Sequence, residues 1–284
     1  MNRVRIASIA ALTAGAVVGA ALGTVAALGS DAPASSSHSA ASLPGFDGAT
    51  FLSHVNYPAT TPGFPGDPAF TLETIFTVPR DGFYLQEVHE GEHTGTHYSA
   101  PCHFHRGALC ADRLEPADFI LPAVVVDIRR QVLEDVDYAL TVEDLEDWVE
   151  AHGPMPSGAA VLAWTGCARF WGAERGPGVP SYYNCGTGER GFHQPGFSEA
   201  AVRWLIDEGV LGRRGATGTD TFGPDPGTDE EFMESSLTLR RHRLTLENLT
   251  NLGRIPADGG WLLIGGPRNR AGSGAPSTVL GLAP

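Results

Sequence analysis

The chain has 284 residues, of which 42% are hydrophobic and 18% charged, a balance that buries a core without cross-links and fits one domain of catalytic size. Its 33 aspartates and glutamates against 19 lysines and arginines give a formal charge of -14. A surface of that sign repels phosphate backbones and excludes nucleic acid as a partner.

The first 34 residues do not resemble the rest. Arg3 and Arg5 precede the uncharged run "IASIAALTAGAVVGAALGTVAALG", and "APA" at Ala32 to Ala34 offers a peptidase small residues. Residues 1–34 are expected to be a signal peptide, with a retained N-terminal anchor as the alternative, since residues 6–29 are long enough to cross a bilayer. Either implies export, to the medium or to the cell surface. No cysteine follows the run, so lipid attachment there is excluded. Residues 35–44, with "SSSHSAAS", read as a flexible linker, and residues 45–284 as the folded domain.

Next comes "GEHTGTHYSAPCHFHRG", residues 91–107, with four histidines among glycine, serine and proline. Gly95, Ser99 and Pro101 oppose a helix. On an extended or turning segment, alternate residues project to one side, which gathers His93, His97, Ser99 and His103. Neutral imidazole both ligates metal and moves protons near neutral pH, so such a cluster can do either. His105 is out of phase and reads as a surface residue.

Short apolar runs at Leu121 to Ile128, Ala159 to Gly166 and Gly260 to Gly266 read as buried strands. Thr141 can cap a helix over "VEDLEDWVEAH" that Gly153-Pro154 stops, and Ser198 opens a second over "EAAVRWLIDE" that Gly209 closes. Strands separated by helices predict an α/β domain with a mixed or partly parallel sheet. The glycine- and proline-rich stretch from Gly172 to Gly191 is long enough to wall a site.

Cys102, Cys110, Cys167 and Cys185 would meet an oxidising compartment, where disulfides are allowed in three pairings that the sequence leaves open. No C-x-x-C pair offers a thiolate zinc site. His193, before the second helix, is placed either to face substrate or to hold its loop by a hydrogen bond, and Asp220, between threonines, either to contact substrate or to organise a turn. His242 sits among Arg240, Arg241 and Arg243 and reads as part of a solvated basic face. Arg268 and Arg270 follow a glycine pair in a loop and are candidates to meet an acidic substrate. The absence of G-x-S-x-G argues against a serine nucleophile.

"HTGTHYSAPCHF" resembles the signature H-x-G-T-H-x-D-x-P-x-H-F of the cyclase family, which includes bacterial kynurenine formamidases and isatin hydrolase-like enzymes. "VLAWTG", "FHQPGFSEAAVRWL", "GATGTDTFGPD" and "LTLENLTNL" resemble later family blocks in the right order. The resemblance covers most of the chain after about residue 45. It implies a single α/β domain of swivelling β/β/α type, with a mixed sheet and flanking helices, usually in a homo-oligomer, here a dimer or tetramer. It also implies metal-dependent hydrolysis of a non-peptide C–N bond, as in an N-formyl or cyclic amide, or of a related lactone, in the manner of an arylformamidase acting on kynurenine precursors.

By the same resemblance His93, His97 and Glu247 are metal ligands and His103 is the catalytic proton carrier, while His193 and Asp220 fall in family-like blocks and are the candidates for substrate binding. Two family ligands are missing: Ser99 stands for an aspartate and Ser235 for a histidine. Two histidines and one carboxylate suffice for a single catalytic metal. One divalent ion, zinc or manganese, is therefore expected at His93, His97 and Glu247, with Ser99 contributing through water. The alternative is a lapsed member that keeps the fold to bind a small molecule or partner.

Overall fold

The computed structural model describes residues 45–64, 66–172 and 180–284. The expected signal peptide and linker lie outside the described residues, as does part of the 172–191 loop. Among the described residues no helix is long and apolar enough to cross a membrane.

The described residues form thirteen strands in chain order. They are β1 (Gly48–Phe51), β2 (Thr71–Phe76), β3 (Leu85–His89), β4 (His97–Ser99), β5 (Ile120–Asp127), β6 (Ala139–Leu140) and β7 (Ala160–Trp164), then β8 (Gly196–Phe197), β9 (Arg214–Thr219), β10 (His242–Glu247), β11 (Gly260–Gly265), β12 (Gly274–Pro276) and β13 (Thr278–Ala283). Interspersed are helices α1 (Val78–Asp81), α2 (Arg129–Glu134), α3 (Val142–His152), α4 (Glu199–Asp207) and α5 (Met233–Thr238). Nine strands form one sheet in the order β1-β13-β11-β5-β7-β9-β10-β4-β12. Neighbours from β5 to β10 run parallel, and the flanking pairs are antiparallel. The expected mixed α/β architecture is the one observed.

The parallel strands are buried on both faces, which is why β5 and β7 read as continuous apolar runs. On one face Leu121, Val125, Leu162, Leu244 and Leu262 pack with Tyr98 and Leu252. On the other, Val124, Val126, Val161 and Ala163 pack against Leu145 and Trp148 of α3 and Ala201, Val202 and Leu205 of α4. Trp148 is anchored by its indole N–H, which donates to the Val125 carbonyl at 3.0 Å. Strand β9 carries glycine where bulk is forbidden: a Cβ on Gly218 would lie 2.7 Å from Leu162 Cδ2 and 3.0 Å from Leu246 Cβ.

Both predicted helix starts are built as read. The Thr141 hydroxyl accepts from the Asp144 N–H while the Asp144 carboxylate accepts from the Thr141 N–H, a reciprocal capping box. The Ser198 hydroxyl accepts from the Ala201 N–H. Helix α4 ends at Asp207, and Gly209 follows in the left-handed region at φ 75°.

Of the three open pairings the structure has Cys102–Cys110 and Cys167–Cys185. The first closes the turn that carries His103. The second ties the loop after β7 to the loop before β8.

Candidate active site

The histidine stretch is extended only over β4 and then turns into a short 3-10 helix, Pro101–His103. Gly95 adopts φ +60°, and a Cβ there would meet Asn56 Oδ1 at 2.3 Å, so the chain turns at Gly95 between His93 and His97. His97 pairs across the sheet with Glu247, and Ser99 with Thr245. A ligand read near the start of the chain thus stands opposite one read near its end. The 93, 97, 99, 103 grouping is also present: the His93 and His97 rings meet edge to face at 5.0 Å, and the His93 and His103 rings stack at 4.0 Å.

The proton inventory of this cluster constrains its chemistry. His97 Nδ1 lies 2.9 Å from the Gly95 carbonyl, an acceptor, so Nδ1 carries the hydrogen and Nε2 of the neutral ring presents a lone pair. That Nε2 faces Glu247 Oε2 at 3.3 Å, outside hydrogen-bond geometry, and has no hydrogen-bond partner although it is buried. Two acceptors set face to face in the interior require a proton or a cation between them. Glu247 Oε1 accepts from the Thr245 hydroxyl at 3.2 Å, and Ser99 Oγ lies 3.2 Å from both Glu247 Oε1 and His93 Nδ1, so its one hydrogen serves either of them.

Burial pushes the Glu247 carboxyl up, but the imidazoles of His97, His93 and His103 around it outweigh this and hold it at about 2. Burial lowers His97, and Glu247 more than reverses the effect, leaving it raised. His93 falls to about 3 through burial and the neighbouring His97 and His103. His103 is lowered by burial although Glu247 opposes this, so it is neutral at pH 7 and able to accept a proton.

The cluster floors a cavity of about 560 Å³, reached by His93, His103 and Glu247. Phe64, Phe192 and Phe222 form one wall, with centroids 5.8 to 6.0 Å apart and nearly parallel rings. They come from three loops distant in sequence. The aromatic wall was not read from the sequence, although Phe222 lies within "GTDTFGPD" and Phe192 beside His193.

Ser235 lines the same cavity, where its hydroxyl donates to Asp225. Asp225 is raised to about 6 by burial, opposed by its Ser235 hydrogen bonds. The wholly buried Glu234 behind it is raised to about 8 by burial and by Asp225, which keeps it protonated at neutral pH.

The two candidate substrate contacts stand elsewhere. His193 Nδ1 is 2.8 Å from Asp137 Oδ2 and Nε2 is 3.1 Å from the Arg190 carbonyl, while its neighbours Phe192 and Gln194 line the cavity. Asp220 is buried, and its carboxylate accepts from the Thr165 N–H and hydroxyl and the Gly166 N–H, tying β9 to the loop after β7. Arg268 donates to the carbonyls of Ala111, Asp112 and Leu114 rather than to the cavity. His105 is half-buried, 2.8 Å from the Ser236 carbonyl, not on an open surface.

His242 belongs to a different group. With Glu115 and Asp118 it brings three potential ligand atoms within 4.8 Å of one another. Two guanidiniums supply the positive charge there: Arg213 lies 2.8 Å from Glu115 Oε1 and Arg214 2.7 Å from Asp118 Oδ1. This is an ion-pair network joining β9, β10 and the turn before β5.

Comparison with known proteins gives consistent results. The Cyclase family model, described as "Putative cyclase", matches residues 50–226. The isatin hydrolase of Roseibium aggregatum is 30% identical over 199 residues, 68% of this chain and 73% of that protein. Isatin hydrolase A from Labrenzia aggregata, solved with benzyl benzoate bound, superposes with a TM-score of 0.72 at 27% identity, covering 83% of this chain and 93% of that one. An isatin hydrolase bound to the product analogue thioisatinate gives 0.72 at 25% identity, covering 83% and 92%.

Proposed function

The chain belongs to the cyclase family, and on that premise we propose that it is a metal-dependent hydrolase cleaving a cyclic or N-acyl amide, or a related lactone or ester, of a small aromatic molecule. The observation that carries this reading is the buried His97 Nε2, without a hydrogen-bond partner, facing the Glu247 carboxylate at 3.3 Å. The donor set of two imidazoles and one carboxylate suits zinc or manganese, and the backbone carbonyl behind His97 is the partner that metal-ligating histidines characteristically use. His93, His97 and Glu247 would hold one divalent ion, with Ser99 beside it.

When bound, such an ion supplies Lewis acidity, lowering the pKa of a water and polarising a carbonyl. The chain's own residues do the rest. His103, neutral and open to the cavity, accepts a proton from the attacking water and returns one to the leaving nitrogen or oxygen. The phenylalanine wall excludes water and orients a flat ring. The relatives support the substrate class: all three are named isatin hydrolases, one solved with a product analogue and another with an aromatic ester.

Retention of an exposed, proton-accepting His103 beside the ligand set favours an enzyme over a lapsed binder. Export of the mature domain by residues 1–34, and assembly as a homo-oligomer, belong to the same proposal. Metal content by mass spectrometry, with hydrolysis of isatin, N-formylkynurenine and aromatic lactones under added manganese or zinc, tests it. One ion per chain and turnover of an aromatic substrate are expected. Two ions per chain would overturn the single-metal site, and neither uptake nor turnover would give the case to the binder.

A further inference from the structure

His93 is held from behind by two residues outside the ligand set. Its Nε2 lies 2.9 Å from the Ser273 hydroxyl oxygen, 180 residues away in sequence. Ser273 in turn donates both its hydroxyl, at 2.8 Å, and its backbone N–H, at 2.7 Å, to Glu92 Oε2. A Cβ on Gly272 would stand 2.6 Å from Glu92 Oε1, so the carboxylate approaches the turn before β12 only because Gly272 has none.

A hydroxyl has one hydrogen, and a carboxylate only accepts. With the Ser273 hydrogen committed to Glu92, the Ser273 oxygen can meet His93 Nε2 only as an acceptor. Nε2 must then carry the ring hydrogen, and Nδ1 presents its lone pair toward Ser99 and Glu247.

From this chain of bonds we propose that Glu92, acting through Ser273, is a positioning residue that fixes His93 as its Nε2-protonated tautomer and leaves the Nδ1 lone pair to accept from the Ser99 hydroxyl beside Glu247. The inference rests on the metal-site reading for its purpose but not for its test. His97 reaches the opposite tautomer through the Gly95 carbonyl. The site thus selects Nδ1 of one ring and Nε2 of the other by two unrelated devices, a carboxylate–hydroxyl pair and a backbone oxygen. Both lone pairs then border the Ser99–Glu247 pair, that of His97 3.3 Å from Glu247 Oε2 and that of His93 3.2 Å from Ser99 Oγ.

Long-range ¹H–¹⁵N correlation on the metal-free, histidine-labelled full chain at pH 8 decides the matter. The His93 signals are identified by their loss in His93→Gln. The wild-type chain is expected to show the Nε2-protonated pattern at His93, and an Nδ1-protonated pattern would overturn the proposal without any variant being made. Glu92→Gln lets an amide N–H donate to Ser273, which frees its hydroxyl to turn toward His93, and Ser273→Ala removes the acceptor. Both are expected to populate the other tautomer and to weaken Mn²⁺ binding by about 10- to 100-fold, as loss of a ligand's supporting hydrogen bond does. Unchanged tautomer populations in both folded variants would refute the role of Glu92. If Mn²⁺ fails to bind the wild-type chain, the metal reading falls, while the tautomer pattern still decides the assignment of Glu92.

Discussion

His97 and Glu247 are direct cross-strand partners on β4 and β10, with Nε2 and Oε2 3.3 Å apart. The sheet's own hydrogen-bond ladder therefore sets their separation, and no flexible loop intervenes. Glu247→Gln removes the charge while keeping the shape. It is expected to weaken Mn²⁺ or Zn²⁺ binding at least 100-fold and to abolish turnover, with the fold retained, as read by calorimetric titration and circular dichroism. A variant that binds metal as tightly as the wild type would show that Glu247 is not a ligand.

The buried imidazoles give the metal-free protein a defined acid response. His93 is lowered to about 3 and His54 to about 4, the latter by burial, against the stacked Trp171 ring at 3.8 Å. Between those values and the ordinary 6.5 the unfolded chain binds more protons, so their contribution rises with pH and is complete above 6.5. Raised His97 acts oppositely, its contribution present below 6.5 and lost as pH climbs through its folded value. Glu247, held at about 2, contributes fully above about 4.5 and loses that contribution only toward pH 2. Asp225, raised to about 6, and Glu234, raised to about 8, oppose the lowered imidazoles between pH 6.5 and 4.5, so the readout is the difference in Tm, in chelator, between the wild type and a variant lacking one lowered imidazole. His54→Phe keeps the stack and removes one titration, so its Tm should gain on that of the wild type as pH falls from 6.5 to 4.5. Parallel curves for the two proteins would contradict the assignment.

The three stacked phenylalanines predict a selective binding defect. Phe222→Ala removes a ring worth about 1.5–3 kcal/mol of burial, which corresponds to an increase in KM of roughly 10- to 100-fold for an aromatic substrate. Metal content should not change. Equal losses for aromatic and small aliphatic substrates would show that the wall does not touch the ring.

Gly274 separates packing from ligation. A Cβ there would lie 2.4 Å from the Tyr98 carbonyl oxygen and 2.9 Å from His93 Cε1. Gly274→Ala is expected to cost about 1–3 kcal/mol in denaturant unfolding, as overpacking does, and to shift His93 enough to weaken metal binding. Wild-type stability and affinity in this variant would mean that β12 yields easily.

Both disulfides should matter to stability. Cys167–Cys185 closes 18 residues and Cys102–Cys110 closes 8. Cys167→Ala/Cys185→Ala is expected to lower unfolding free energy by about 2–4 kcal/mol, measured with and without reductant. Reductant should then shift the double variant less than the wild type.

Part of this was legible in the sequence because the physics is local. β5, β7 and β11 announce themselves as apolar runs, and Thr141 and Ser198 as caps. Strand β9, "RGATGT", does not, because its glycines serve the packing of Leu162 and Leu246, which only the folded sheet supplies. The imidazole grouping was expected from alternation along an extended segment, but only His97 and Ser99 share a strand, and His93 and His103 join them through the turn at Gly95 and the 3-10 helix. The facing of Glu247 could be expected only by resemblance, since register across 150 residues leaves no local trace. His193 and Asp220 sit in suggestive blocks, yet their polar atoms are satisfied by Asp137 and by the Thr165–Gly166 backbone. Glu92 carried no signal, because its partner Ser273 is brought to it by β12 pairing with β4.

The pairing of β4 between β10 and β12 also determines where the gene can vary. Inserting a single codon in β4 or β10 would turn the following side chains of that strand to the opposite face, taking His97, Ser99 or Glu247 out of the cluster. The loops bearing Phe64, Phe192 and Phe222 lie outside that ladder, so a change in their length leaves its register intact. Diversification of this scaffold toward new compounds should therefore be written as loop indels around a length-invariant frame, and a library built on that division should keep its metal while changing its preferences.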